Sequence, residues 1–157
     1  DVYKRQELPR AVLMAGYKDT SSSDAVYMLD WYAYGIGKVP AKVATTYQNI
    51  SDAWSLLIDQ KWHDRITAIK VSDGGLSYVE FFEYRKNKMS IPLFNIYCAT
   101  GSNREYYAER TDLIQLGQTT QAIYFAKLTN EGEQSELALT GDEIKARFSL
   151  VNQAWNN

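Results

Sequence analysis

The sequence of 157 residues contains one cysteine and one histidine. A single cysteine cannot close an internal disulfide, and together the two counts exclude a zinc cluster and most histidine-based catalytic sites. There is no excess of positive charge. Seventeen Lys and Arg face nineteen Asp and Glu, a formal net charge of −2. That balance argues against non-specific binding to nucleic acid or to an anionic membrane surface. No apolar run approaches the roughly 18 residues of a membrane-spanning helix. No GxGxxG, Walker loop, GxSxG or HExxH pattern occurs. What is present is a chain with 45% apolar and 23% charged residues, enough for one packed domain of ordinary size.

Asp1-Val2-Tyr3-Lys4-Arg5-Gln6 back-translates to GAT GTG TAT AAG AGA CAG. That string resembles the transposase adapter end of a shotgun sequencing library. The expectation is that residues 1–6 are an adapter artefact on a metagenomic bacterial fragment and that the native N-terminus lies upstream, with any signal peptide or lipid-attachment site on it. Residues 7–24, with Pro9, Gly16 and the polar run Asp19 to Asp24, read as a linker. A single domain is expected over 25–157.

Val26 to Tyr34 is rich in β-branched and aromatic residues and reads as a strand, as does Lys42 to Tyr47. In the first, Tyr27, Leu29, Trp31 and Ala33 share one face, expected to turn to the core. Met28, Asp30, Tyr32 and Tyr34 share the other, expected to turn to solvent or a ligand. Ser51 to Trp62 reads better as a helix, since Trp54, Ile58 and Trp62 have helical spacing and Ser51 can cap it, while the alternative is a strand with Trp54, Leu56 and Ile58 on one face. Ile66 to Val71, Leu76 to Tyr84 and Ile91 to Ala99 read as an antiparallel meander, because their connections are too short for parallel crossovers. Residues 103–116 look helical. Ala122 to Leu128, apolar on both faces, suits a central strand, and Glu136 to Leu139 a short one. Thr140-Gly141-Asp142-Glu143 is a capping box before a helix whose apolar stripe is Ile144, Phe148, Val151 and Trp155.

His63 stands beside Asp64, an arrangement that can orient an imidazole, although neighbours on a helix point apart. Cys98 alternates with Phe94 and Ile96 and reads as a buried core thiol rather than a nucleophile. Asp24, Asp30, Asp59, Asp64, Glu80 and Glu83 form no calcium loop and no catalytic acid pair, and read as solvated surface. Twelve Tyr, four Trp and five Phe are the distinctive feature of the composition. Tyr and Trp join a flat apolar surface to a polar tip and suit glycan, peptide or protein surfaces. Tyr32, Tyr34 and Asp30 are the candidate ligand-binding residues on that ground.

From Leu76 to Trp155 the order of features resembles extracytoplasmic lipoprotein domains of gut bacteria. The matching stretches are Tyr78-Val79-Glu80-Phe81-Phe82, Ile91 to Ile96, Leu116-Gly117, Tyr124-Phe125-Ala126 and Leu139 to Ile144. Tyr47-Gln48-Asn49 followed by Trp54 to Trp62 is similar to the opening of PsbP-like secreted domains, a likeness that needs a strand at 54–59. The resemblance implies an α+β sandwich and an extracytoplasmic or cell-surface location, and it brings no catalytic residues.

The sequence thus predicts a single α+β domain, a mainly antiparallel sheet packed by two or three helices. The expected function is a non-catalytic extracytoplasmic binding or interaction domain, with no cofactor and no metal, whose partner is an unidentified protein, peptide or glycan. The alternatives are a small enzyme or ligand-binding protein using the His63 and Asp64 region, and an accessory domain of a longer cytoplasmic protein.

Overall fold

A computed structural model describes residues 6–15, 17, 26–35, 37–86 and 88–151. Among the described residues, ten strands form two antiparallel sheets of five. The first holds β1 (Gln6–Leu13), β2 (Tyr27–Tyr34), β3 (Ala41–Asn49), β4 (Trp54–Leu57) and, at its far edge, β10 (Phe148–Leu150). The second holds β5 (Ile66–Asp73), β6 (Leu76–Arg85), β7 (Lys88–Thr100), β9 (Ala122–Leu128) and β8 (Ile114–Gln118), in that spatial order. The helices among the described residues are short: α1 (Glu105–Ala108), α2 (Asn130–Glu133) and α3 (Gly141–Arg147).

Inner-face residues line up across the sheets, because directly paired antiparallel residues project to the same side. Val12, Met28, Tyr47, Leu56 and Phe148 form a row across the whole first sheet. Ala68, Phe81 and Phe94 form the facing row in the second. The Tyr47 and Phe81 rings meet edge-on at 5.5 Å, and Phe81 stacks on Phe94 at 4.9 Å. One apolar core therefore joins both sheets. The outer face of the second sheet carries a smaller cluster of Ala99, Leu113, Ile123 and Phe125, against which Tyr107 of α1 packs.

The expected α+β fold is overturned: this is a two-sheet antiparallel β architecture, and its helices are single turns or little more. Three segments account for the difference. Residues 54–57 form β4, with Trp54, Leu56 and Ile58 buried and Leu57 41% exposed. Positions i and i+4 satisfy a period of two as well as a helix, so Trp54 and Ile58 could not decide, and Leu57 does. Within 103–116 only Glu105–Ala108 is helical, and Ile114 onward pairs with the free edge of β9. The capping box is formed as expected, with Thr140 and Glu143 bonding each other's backbone N–H. Its helix ends at Arg147, however. Phe148 is extended (φ −82°, ψ 137°) and opens β10, which takes the free edge of β4. Ile144 and Phe148 are both buried, but on different elements. Trp155 lies outside the described residues.

The central meander β5–β6–β7 has the expected antiparallel pairing. Phe94, Ile96 and Cys98 all turn inward, and Ala122 to Ala126 are buried on both faces of β9. Glu136 to Leu139 is a turn rather than a strand, though Leu137 and Leu139 are buried. Glu7 to Leu13, in the stretch read as a linker, form β1 together with Gln6 and pair with β2.

Candidate functional site

The inner face that carries Val12, Met28 and Tyr47 continues along β2 and β3. There the inner face opens into a cleft of about 720 Å³. Met28, Ile58 and Trp62 lie at its apolar base, all largely buried. Trp62 leans on Phe94 at 5.8 Å and donates its indole N–H to the Leu137 carbonyl at 2.8 Å, so it offers the cleft carbon surface rather than a donor.

One wall is polar because of a break in strand register. Asp30 pairs with Thr45, whereas Tyr32 pairs with Lys42, so β3 carries an extra residue between them. In an unbroken ladder Val43 would face Tyr32. The bulge puts Lys42 there instead, on the same side as Asp30. Lys42 Nζ reaches Asp30 Oδ1 at 3.1 Å, and the Thr45 hydroxyl donates to the same oxygen at 2.7 Å. Opposite, Asp59 serves two donors. Its Oδ1 accepts from the Lys61 backbone N–H at 3.0 Å, capping the 3₁₀ turn Gln60–Trp62, and its Oδ2 accepts from Arg147 Nη2 at 2.6 Å. His63 and Asp64 complete the rim, with Nε2 and Oδ2 3.3 Å apart and both side chains well exposed. Asp64 holds a left-handed backbone (φ 54°), which Asp tolerates better than most residues.

Of the three candidate residues, Asp30 lies in the cleft wall. Tyr32 and Tyr34 follow it on the same strand face, away from the cleft: Tyr32 is partly buried beside Leu8, and Tyr34 is 40% exposed at the strand end. The expected facing of β2 is reversed at its start, since Met28 is buried and Tyr27 is 52% exposed. Met28 is buried on that face, and Asp30, two residues on and on the same side, lines the cleft. His63 and Asp64 join Asp30 at the same cleft. Lys42, Thr45, Asp59 and Arg147 were not legible as site residues. A bulge leaves no signature in composition, and the contact between Arg147 and Asp59 spans 88 positions.

Two other groups are structural. Cys98 is buried, and burial pushes its thiol up to about 11, away from the thiolate a nucleophile needs. Tyr124, close by, is raised to about 12, chiefly by burial and then by Cys98. Its hydroxyl donates to the Asp52 carbonyl at 2.6 Å. Tyr47 is likewise raised by burial, with Asp52 second. Glu83, read as solvated, is fully buried. It accepts from Arg85 Nε at 2.6 Å and Ser135 Oγ at 2.9 Å, and Arg65, also paired with Glu136, stands 4.0 Å away.

A second row of aromatic rings lies on the outer face of the second sheet. Tyr78, Tyr97 and Phe125 occupy paired positions on β6, β7 and β9. Tyr97 stacks on Phe125 at 4.8 Å and 6°, and Tyr107 covers Phe125 at 5.0 Å and 15°. Rings that stack on each other at the strand spacing spend their faces within the row. Tyr97 and Phe125 are therefore flanked within the row by rings on either side.

No family model, curated protein or solved structure matches the chain. Among the described residues, no group of three or more His, Cys, Asp or Glu is placed to hold a metal ion, and no helix is long and apolar enough to cross a membrane.

Proposed function

We propose that this chain is a non-catalytic binding domain whose cleft, between the β2–β3 wall and the turn 58–64, takes a small amphipathic molecule. The observation that carries the reading is the cleft itself. At about 720 Å³ it falls within the usual size of ligand pockets, and it sets an apolar base beneath a rim of a few convergent polar groups. The unreactive state of Cys98 favours binding over covalent catalysis. An extracytoplasmic location, as the sequence resemblance implies, belongs to the same proposal.

A second reading, a small enzyme using His63 and Asp64, is favoured by one observation: both line this cleft within 3.3 Å of each other. The test serves both. Ligand-observed NMR with a panel of small amphipathic acids, alcohols, amines and esters is run on the protein and on Thr45→Trp, which fills the cleft from its wall. The proposal expects ligands that bind the native protein unchanged and are lost in the variant, with matching circular dichroism. No binding in the panel, or binding indifferent to Thr45→Trp, would overturn it. Turnover of an ester abolished by His63→Ala would replace it with the enzyme reading.

A further inference from the structure

Hydrogen-bond arithmetic at the cleft rim narrows the ligand class, and the inference rests on the cleft being a binding site. An ammonium carries three N–H donors and a guanidinium five, with no acceptor on either. Lys42 directs one donor to Asp30 Oδ1, and Arg147 directs Nη2 to Asp59 Oδ2. The two carboxylates have other donors as well. Thr45 shares Asp30 Oδ1, and the Lys61 backbone N–H takes Asp59 Oδ1. Each cation thus keeps further N–H donors beyond the one it gives to its carboxylate. The indole N–H of Trp62 is spent on Leu137, which leaves the base apolar.

We infer that the cleft takes an amphipathic carboxylate, an acid whose hydrocarbon part lies against Met28, Ile58 and Trp62 and whose carboxylate accepts from Lys42 and Arg147. An alkylammonium would instead compete with Lys42 and Arg147 for carboxylates that each already hold a cation. Asp64, the third carboxylate of the rim, is 62% exposed beside His63, so solvent screens its repulsion. An acid also gains charge-assisted bonds, which are stronger than those an alcohol of equal length can make.

Isothermal titration with octanoate, 1-octanol and octylamine tests this on the native protein, on Lys42→Met and on Lys42→Arg. Octanoate is expected to bind about tenfold or more tightly than the alcohol or the amine, as one lost charge-assisted hydrogen bond implies. Lys42→Met should weaken octanoate by about the same factor, weaken octanol by less, and be rescued by Lys42→Arg. Equal affinities for acid and alcohol, or tighter binding of the amine, would overturn the carboxylate assignment while leaving the cleft as a site. Failure of all three probes to bind would overturn the cleft reading itself.

Discussion

Replacing Glu83 by glutamine keeps the shape of the side chain and removes its charge. The native carboxylate is 0% exposed and accepts from Arg85 Nε and Ser135 Oγ, one on each oxygen. The amide can accept through one oxygen only, so the bond from Arg85 or the one from Ser135 is lost, and its NH₂ is served only if the Ser135 hydroxyl turns to accept. Bonds to a charged group contribute about 1.5–3 kcal/mol each. Arg65 and Arg85 are about half exposed and regain water when the charge is lost, which keeps the total below the 3–5 kcal/mol of a fully buried pair. The expected cost of Glu83→Gln is therefore about 2–3 kcal/mol, a large part of an ordinary domain's stability. In urea, with a slope of about 2 kcal/mol/M, the midpoint should fall by about 1–1.5 M. Ser135→Ala should be smaller alone and non-additive with it, because the two share one bond. A Glu83→Gln midpoint within about 0.2 M of the native value would refute the claim that this carboxylate pins the 134–139 turn to β6.

Gly132 in α2 packs on β7, where an added Cβ would overlap the Leu93 carbonyl oxygen and stand 2.6 Å from Leu93 Cα. Gly132→Ala should therefore destabilise despite its gain in helix propensity, by at least about 1 kcal/mol in the same urea assay. Phe148→Ala removes a buried ring stacked on Trp54 at 5.8 Å and should cost about 3–5 kcal/mol by thermal or chemical denaturation. Cys98 should react slowly with a thiol reagent at pH 8 in the native protein and rapidly after unfolding, since a thiol near 11 leaves only about 0.1% as thiolate. Cys98 and Tyr124 are both raised above their ordinary values, so the unfolded chain loses those protons first. Stability is then whole below about pH 9 and falls as pH rises through 11 and 12, by up to about 1.4 kcal/mol per pH unit for each group.

The elements legible in the sequence are those whose pattern had one physical interpretation. Alternation over Ile91 to Ala99 fixed which face of β7 is buried, and the two-sided apolar run Ala122 to Ala126 marked a central strand. The errors cluster where a free sheet edge competed with a local helical pattern. Ile114 and Phe148 each begin a strand that closes an edge, of β9 and β4 respectively, and such pairing depends on partners far along the chain. Glu83 was misjudged for the same reason, because its partners Arg65 and Ser135 arrive from other elements. In the cleft, Asp30, His63 and Asp64 were singled out for their chemistry, and their meeting depends on the turn at 58–64 lying over the β2–β3 wall. The bulge that brings Lys42 beside Asp30 is a property of pairing and not of composition.

Where a ligand sits, in the cleft or on the aromatic row, is read from amide chemical-shift mapping of the isotope-labelled protein titrated with octanoate. Binding in the cleft gives saturable shifts confined to Met28, Asp30, Lys42 to Thr45 and Ile58 to Asp64. Shifts centred instead on Tyr78, Tyr97 and Phe125, or spread evenly over both sheets, would rule the cleft out.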